Sequence, residues 1–321
     1  MDPMRFILPV EDAEYQQALS VRSQMLQVSS AGAGAALGLP DFSRLDGLYG
    51  SLGLMVAFLM LRFLFNSSIA ALTRRHQQSK ERQQLIDKIE EEIWVTLGGV
   101  TLLVAGWQCL FSVRDYCGLH NTAGCLRNWP LIPVEANVHK YYNIELGWYL
   151  QLMLKHVMGL GLQDNGTMGA HHLATVALVV LSYMLNVHLV GLVVFGTLNL
   201  SSPLLHMSKL ASCLELKTAK ALLFGLFAAV FFVTRVLLFP YFILKCCMYD
   251  ALTSIRGIMQ YFFPYWLAFN VLLVVLCAMQ GVWFAAVLRV LKIVVKGSSK
   301  ELQREVATAD PAGMGAKLAA Q

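Results

Sequence analysis

Two adjacent histidines carry the clearest chemical signal in this sequence. His171 and His172 open an apolar run, and an imidazole changes its charge near neutral pH. Such a group can remove the proton from an amine, or it can carry an acyl group as a nucleophile. Metal ligation fits the pattern less well, because neighbouring helical residues point about 100° apart, unlike the i, i+4 spacing of paired histidine ligands. The pair therefore predicts acid–base or covalent chemistry and no metal site.

The run that these histidines open has a polar seam. Residues three, four, seven and eleven apart share one face of a helix. Two neighbouring stripes collect the polar groups: His171, Thr175, Leu178 and Ser182 on one, and His172, Val179, Tyr183 and Asn186 on the other. The seam either supports the two imidazoles in a site, or it only hydrogen-bonds neighbouring helices, as polar side chains in membrane bundles often do.

The composition predicts that membrane helices hold these residues. The chain has 321 residues, of which 57% are hydrophobic and 14% charged, and its mean hydropathy is +0.56. A soluble domain is typically about 45–50% apolar and about 25% charged. The net charge of +5 is modest, and Lys and Arg fall in loops and tails. This distribution disfavours a nucleic-acid partner and indicates the edges of a lipid bilayer.

Seven apolar stretches approach the length of about 20 residues that a bilayer-spanning helix needs. They cover residues 47–65, 93–111, 141–160, 169–186, 187–206, 219–244 and 262–292. Backbone groups in lipid must pair internally, and no alternating barrel pattern is present. The predicted fold class is therefore all-α, a polytopic membrane bundle of about seven helices. Its predicted parts are a lumenal segment 1–46, a first span and cytosolic linker helix 47–92, the main bundle 93–292 and a disordered cytosolic tail 293–321.

The positive charges predict how the bundle is oriented. Lys and Arg are concentrated in the loop after the first span and in the tail after the seventh. Positive residues mark the cytosolic side, so the N-terminus is predicted to be lumenal and the C-terminus cytosolic. His171 then lies at the cytosolic end of its span. Cys117 and Cys125 share one lumenal loop, where they either pair or remain two thiols.

Ionisable residues inside predicted spans are functional hypotheses, because each costs roughly 3 kcal/mol on insertion scales. They include Glu145, Lys155, His171, His172, His188 and Arg235. Arg235 requires a counter-charge or an anionic ligand, and Glu145 is its predicted partner. A structural ion pair is the preferred interpretation. Pro240 is predicted to kink the helix that carries Arg235.

Several segments together resemble the ceramide synthases of the TLC-domain family. The pattern HHxxTxxLxxxSYxxN, from His171 to Asn186, looks like the first half of that family's signature. Further similar segments follow the family's order: residues 88–94, 128–130, 141–149, 232–240 and 270–289. Each is weak alone, but their ordered set covers about residues 48–300 and is specific.

The resemblance implies an endoplasmic reticulum membrane protein with one preceding span and a six-helix bundle around a long cavity. It implies transfer of a fatty acyl group from acyl-CoA, the co-substrate, to the amine of a sphingoid base, with no further cofactor. A homodimer, or a heterodimer with another ceramide synthase, is compatible with it. The implied residues are His171 and His172 as catalytic groups, Ser182, Tyr183, Asn186 and Asn199 as supporting groups, and Glu145 and Arg235 as substrate-positioning or structural groups.

The second half of the signature is altered in this chain. Where the family has His-Asp and then a further Asp, this sequence has Leu198-Asn199 and Ser202. A carboxylate beside an imidazole fixes its tautomer, and replacing it by Asn in a serine protease lowers the rate about 10⁴-fold. His206 and Asp164 are possible substitutes.

This departure from the signature leaves three functions open. The first is an active sphingoid N-acyltransferase. The second is a catalytically degenerate paralogue that binds lipid or regulates an active synthase. The third is another TLC-type function, in membrane lipid composition or secretory cargo. Only the first function needs both histidines.

Overall fold

The computed structural model describes residues 42–74, 78–115, 117–127, 129, 132–158, 160–162, 166–254 and 259–296. The predicted N-terminal segment and tail thus lie almost wholly outside the described residues. The α-helices of the described part are α1 (Gly50–Thr73), α2 (Lys80–Val113), α3 (Ala136–Val157), α4 (Gly166–Met184), α5 (His188–Leu198), α6 (Ser202–Cys213), α7 (Lys217–Phe231), α8 (Phe239–Phe242), α9 (Ala251–Ser254) and α10 (Met259–Lys296). No β-strand occurs within these ranges, which confirms the all-α class.

The described part is a multi-pass membrane bundle. Within the described ranges, six segments are long and apolar enough to cross a bilayer: Arg44–Thr73, Lys80–Val113, Gly166–Met184, His188–Cys213, Lys217–Thr253 and Phe263–Lys292. The third predicted span, residues 141–160, corresponds to α3, which is helical but is not among these six. Its Glu145, Gln151 and Lys155 are almost completely buried by other helices. The polar groups of α3 therefore contact protein instead of lipid.

Two predicted segments have other bounds in the structure. The predicted linker helix over residues 74–92 corresponds in part to the start of α2, which runs from Lys80 through the second span, with the Ser79 hydroxyl accepting a hydrogen bond from its first turn. The fifth predicted span, residues 187–206, lies within the apolar segment His188–Cys213, which is interrupted between Leu198 and Ser202. Pro203 lies in the first turn of α6, where its missing N–H costs no helical hydrogen bond.

The helix around Pro240 changes its winding. Seven residues before α8, Phe232–Leu238, and eight after it, Ile243–Asp250, are π-helical. A proline cannot donate a helical hydrogen bond, and wider turns absorb the resulting change of register. Arg235 lies in the first π-helical segment, which aims its side chain into the bundle.

The centre of the bundle is α5. Every residue of this helix is buried, and the helix is apolar on all sides, as a fully enclosed helix must be. α2, α4 and the first π-helical segment pack around it. The outer helices expose large apolar side chains, including Met60, Leu222 and Val282, which are 64–69% exposed. These faces provide the lipid-contacting surface.

One buried ion cluster joins α1, α2 and α3. The carboxylate of Glu91 pairs with the guanidinium of Arg62 and, at 2.9 Å, with the ammonium of Lys155. All three side chains are at most 8% exposed. Lys155, one of the ionisable residues inside the predicted spans, therefore has a structural partner on a neighbouring helix.

The loop between α2 and α3 closes one end of the bundle. Cys117 and Cys125 form a disulfide within it, which resolves the two alternatives left open by the sequence. The indole N–H of Trp129 donates to the carbonyl of Leu185 at 2.9 Å. The loop is thereby fastened to the end of α4.

Gly98 of α2 lies directly against α3. The ring of Trp148 stacks on Trp94, with 5.8 Å between the centroids, and it also covers Gly98. A Cβ atom at Gly98 would lie 1.8 Å from that ring. Only a residue without a side chain fits there.

We expect Gly98→Ala to destabilise the bundle by about 1–3 kcal/mol, because the methyl group must displace a packed indole. Thermal unfolding of the detergent-solubilised protein measures the effect as a fall in Tm. Gly53→Ala is the matched control, since a Cβ at Gly53 meets nothing within 4 Å. An equal Tm for both variants would contradict the packing described.

Candidate active site

A narrow, mainly apolar cleft of about 30 Å³ lies between α3, α4, α5, α10 and the π-helical segment of Arg235. The predicted stripe of α4 faces it, since His171, Thr175, Leu178 and Ser182 all line the cleft. This stripe spans eleven residue steps, or about 16 Å of helix. The cleft is thus about half as long as the hydrocarbon core of a bilayer, roughly 30 Å.

α10 forms the opposite wall of the cleft. Phe269, Leu273 and Leu276 line it, and the same helical face continues to Gln280 and Trp283. The indole of Trp283 meets the ring of His171 edge-on, with the centroids 5.1 Å apart. His171, Trp283 and Arg235 therefore enclose the polar end of the cleft.

The two histidines have different surroundings. Both are buried, at 9% and 8% exposure, and their ring centroids lie 5.6 Å apart. His171 lines the cleft, whereas the ring of His172 packs 5.7 Å from that of Tyr149. His171 is therefore the better placed of the two for chemistry in the cleft.

Arg235 is held by neutral groups. Its Nε donates to Ser201 Oγ at 2.7 Å, its Nη1 to Gln280 Oε1 at 3.0 Å, and its Nη2 to Leu198 O at 2.7 Å and Ser202 Oγ at 3.0 Å. The phenyl ring of Phe231 lies 5.3 Å below the guanidinium. The break between α5 and α6 supplies three of the four acceptors.

The predicted ion pair of Arg235 with Glu145 was wrong. The carboxylate of Glu145 accepts hydrogen bonds from Asn199 Nδ2 at 3.1 and 3.3 Å. The same amide nitrogen lies 3.3 Å from the hydroxyl oxygen of Tyr141. The amide of Asn199, directly after α5, thus stabilises Glu145. It is bonded to Glu145 and Tyr141 and not to an imidazole.

The other predicted supporting residues lie further along α4. Ser182 Oγ is 3.0 Å from the hydroxyl of Tyr142, which donates to the backbone at His188. Gly191 permits this approach, because a Cβ there would lie 2.0 Å from that hydroxyl. Ser182 reaches the far end of the cleft, where its partners are structural.

Tyr183 and Asn186 serve the connection at the end of α4. Tyr183 Oη lies 2.7 Å from His139 Nδ1. Asn186 accepts from Arg44 at 2.8 Å, donates to the carbonyl of Ile132 at 2.9 Å, and has a left-handed backbone with φ 57°. Neither lines the cleft, so the structure does not bring them to the two histidines.

The proposed substitutes for the missing acids do not reach the cleft either. His206 pairs with Glu92 at 2.6 Å, and neither of them lines the cleft. Asp164 lies outside the described residues.

Sequence reasoning missed Ser201, Gln280 and Trp283. Helical spacing in the last span could have indicated two of them. It places the amide of Gln280 on the same apolar face of α10 as Phe269, Leu273, Leu276 and Trp283.

A TLC-domain family model matches residues 88–289, more than half of the chain. The chain belongs to the TLC-domain family. Within this family it is similar to mouse ceramide synthase 5, at 26% identity over 83% of this chain, and to human ceramide synthase 5, at 27% over 83%. It is also 25% identical to ASC1-like protein 3 of rice over 73% of this chain and 84% of that protein.

The two ceramide synthases 5 extend beyond the region of similarity. The aligned part spans 58% of the mouse protein and 64% of the human one. The similarity confirms the predicted family, with this TLC protein as a divergent member. The residues that match the family model run from α2 into α10 and include the elements that line the cleft.

We expect Asn199→Leu to lower the stability of this TLC protein by roughly 3 kcal/mol, because it removes the amide that bonds the buried carboxylate of Glu145. The double variant with Glu145→Leu should regain a large part of that loss, since no buried carboxylate is then left without a donor. Thermal unfolding of the four proteins completes the cycle. Strictly additive losses would contradict the coupling.

Proposed function

We propose that this TLC protein is a ceramide synthase-like enzyme, which transfers a fatty acyl group from acyl-CoA to the amine of a sphingoid base. The observation that carries the proposal is the position of His171, whose ring borders an apolar cleft. An acyl group requires such apolar walls, and an amine requires a base beside it. The names of the similar ceramide synthases support this substrate class.

The chemistry follows from the reactivity of an amine. Near neutral pH the sphingoid amine is protonated and cannot attack. A neutral His171 takes one proton from the ammonium group, and the freed electron pair attacks the thioester carbonyl. The carbon–nitrogen bond forms and the carbon–sulfur bond breaks as the nitrogen gives up its second proton, which ends on the departing CoA thiolate. The proton held by His171 is then released to water. Alternatively, His171 takes the acyl group first and passes it to the amine. In both routes His172 positions the site through its contact with His171.

The same proposal includes location and orientation. We place the protein in the endoplasmic reticulum membrane, with the N-terminus lumenal and the C-terminus cytosolic. The disulfide between Cys117 and Cys125 supports a lumenal loop after α2, because disulfides persist in oxidising compartments. His171, near the start of α4, then lies close to the cytosol, where acyl-CoA arrives.

A degenerate paralogue is the second candidate, and the neutral residues Asn199 and Ser202 favour it. They supply no carboxylate to either imidazole, and both instead hydrogen-bond other buried charged groups. Such a protein would keep the cleft, bind lipid, and act by pairing with an active synthase. Its function would not depend on His171.

We expect His171→Ala to reduce N-acyl product by at least about 10²-fold, because general-base catalysis contributes about 10²–10⁴-fold. The protein is expressed in cells without their own ceramide synthases, and product from a sphingoid base and labelled acyl-CoAs is measured by mass spectrometry. His120→Ala is the control, since His120 is exposed in the loop after α2.

The result separates the two candidates. Product from wild type and His120→Ala, but not from His171→Ala, supports the acyltransferase. No product from well-expressed wild type, or full product from His171→Ala, overturns the proposed reaction and favours the paralogue.

The orientation is tested by cysteine labelling in intact microsomes. We expect an impermeant maleimide to reach Cys213, at the cytosolic end of α6, without opening the membrane. Cys117 and Cys125 should react only after the membrane is permeabilised and the disulfide reduced. Cys213→Ser identifies the first signal. Labelling of the disulfide cysteines in sealed, reduced microsomes would reverse the orientation.

A further inference from the structure

A second cavity, of about 220 Å³, lies between α1, α2 and the loop that follows α3. Its lining is polar: Arg62 and Asn66 come from α1, and Asp87, Glu90 and Glu91 come from α2. We propose that this cavity binds a phosphoethanolamine group, with the phosphate at Arg62 and the ammonium at the acids of α2. The site goes beyond the proposed transfer reaction, since it needs neither acyl-CoA nor a sphingoid base, and its described lining shares no residue with that of the cleft.

Arg62 carries hydrogen-bond donors that the described part of the protein does not use. Its side chain is 1% exposed, and among the described residues its hydrogen-bond acceptor is the carboxylate of Glu91. The Nε and Nη1 atoms of Arg62 have no acceptor within the same ranges. A guanidinium has five N–H groups whose geometry matches the oxygens of a phosphate. A buried arginine with unused donors on the wall of a cavity is therefore suited to bind a phosphate group.

The charges that line the cavity have both signs. Asp87, Glu90 and Glu91 share one face of α2, because they are three and four residues apart. Glu91 pairs with Arg62 and Lys155. A carboxylate has about four acceptor positions, so Asp87 and Glu90 can accept from a ligand in addition to their protein contacts. A ligand that carries both a phosphate and an ammonium meets a partner of opposite charge for each.

The order of these charges along α2 fits the order of charges in the ligand. Asp87 lies four residues, or about 6 Å of helix, nearer the start of α2 than Glu91, which pairs with Arg62. The start of α2 is its charged end, ahead of the apolar span. A phosphate at Arg62 thus places the terminal ammonium toward Asp87 and away from the apolar part of the bundle.

The loop after α3 leaves room for the ligand because it meets the ion cluster with backbone. Gly161 has φ 74°, and a Cβ atom there would lie 1.9 Å from Arg62 Nη2. The N–H of Leu162 donates to Glu91 at 3.2 Å. The cavity of about 220 Å³ is far larger than the roughly 10–15 Å³ that one water molecule needs, so it can hold a small head group.

The cavity lies where the apolar surface of the bundle ends. Phe63 and Leu64, next to Arg62, are 61% and 59% exposed, and the polar residues 66–68 follow them on α1. On α2 the corresponding boundary falls at Ile93, directly after the acids. Lipid head groups occupy this level of a membrane, and charged pockets between helices bind them there. We therefore expect a phospholipid to carry the phosphoethanolamine group.

The test measures equilibrium binding of radiolabelled dihexanoyl phosphatidylethanolamine to the full chain in a maltoside detergent. Dihexanoyl phosphatidic acid, which lacks the ammonium, and dihexanoyl phosphatidylcholine, whose trimethylated ammonium donates no hydrogen bond, are the competitors. We expect the phosphatidylethanolamine to bind saturably and at least about tenfold more tightly than either, because only it makes charge-assisted hydrogen bonds at both ends of the cavity.

Free O-phosphoethanolamine separates the two sources of the group. Competition much weaker than that of the lipid supports a head-group site facing the membrane. Competition as strong as that of the lipid supports the same site with the soluble compound as its ligand.

The first variant is Arg62→Lys, which keeps a positive charge beside Glu91 but removes the guanidinium donors. We expect it to bind phosphatidylethanolamine at least about tenfold more weakly. Arg114→Lys is the matched control, since Arg114 is 66% exposed at the other end of α2. It should bind like wild type.

The second variant is Asp87→Asn, which keeps the shape of a half-buried side chain and removes its charge. It should weaken binding of phosphatidylethanolamine but not of phosphatidic acid, so that the preference between them falls severalfold. Asp115→Asn is its control, because Asp115 is 91% exposed beyond the end of α2. This comparison remains decisive if Arg62→Lys does not fold.

The outcomes are independent of the acyltransferase assay, because no thioester or sphingoid base is present. Absence of saturable binding, or equal binding of the three lipids by wild type, overturns the site and leaves a cavity that holds water. An unchanged preference in a folded Asp87→Asn protein overturns it as well. A reduced preference in Asp87→Asn, with wild-type binding by Asp115→Asn, supports the site whether or not the protein makes N-acyl product.

Discussion

The positive charge of Arg235, enclosed in a lipid-embedded bundle, is the constraint on which the arrangement of the site depends. Lipid offers the guanidinium no partner, so its acceptors must come from within the bundle. The protein supplies them by ending α5 at Leu198, where the last carbonyls of a helix lack intrahelical donors and carry partial negative charge. The helix break thus provides both a free carbonyl and the two serines that follow it.

Asn199 and Ser202, the two residues that differ from the acids of the resembled signature, each hydrogen-bond a buried ionisable side chain. Asn199 donates to the buried carboxylate of Glu145, and an acid there would place two carboxylates about 3 Å apart. Ser202 accepts from Arg235 without neutralising it. The two substitutions together keep Glu145 satisfied and leave Arg235 charged. Among the described residues, neither of them offers His171 a carboxylate partner.

The cleft combines features that serve either catalysis or lipid binding. Its apolar walls come from α4, α5 and α10, and its polar groups lie at one end, near His171 and Arg235. The central position of α5 makes this possible, because a fully buried helix can present residues to the cleft on one face and pack against α2 on another.

The amino-acid sequence by itself determined the membrane bundle and one face of the site. Hydrophobic runs specify helices in lipid, and helical periodicity places His171, Thr175 and Ser182 on one stripe, because both follow from local geometry. The partners of buried polar groups were decided by tertiary structure alone. Arg235 meets Gln280 and the serines instead of Glu145, because distances between helices depend on how they pack. Apolar faces toward lipid and toward protein look alike in sequence, so α3 could not be recognised as a helix whose Glu145, Gln151 and Lys155 all face protein.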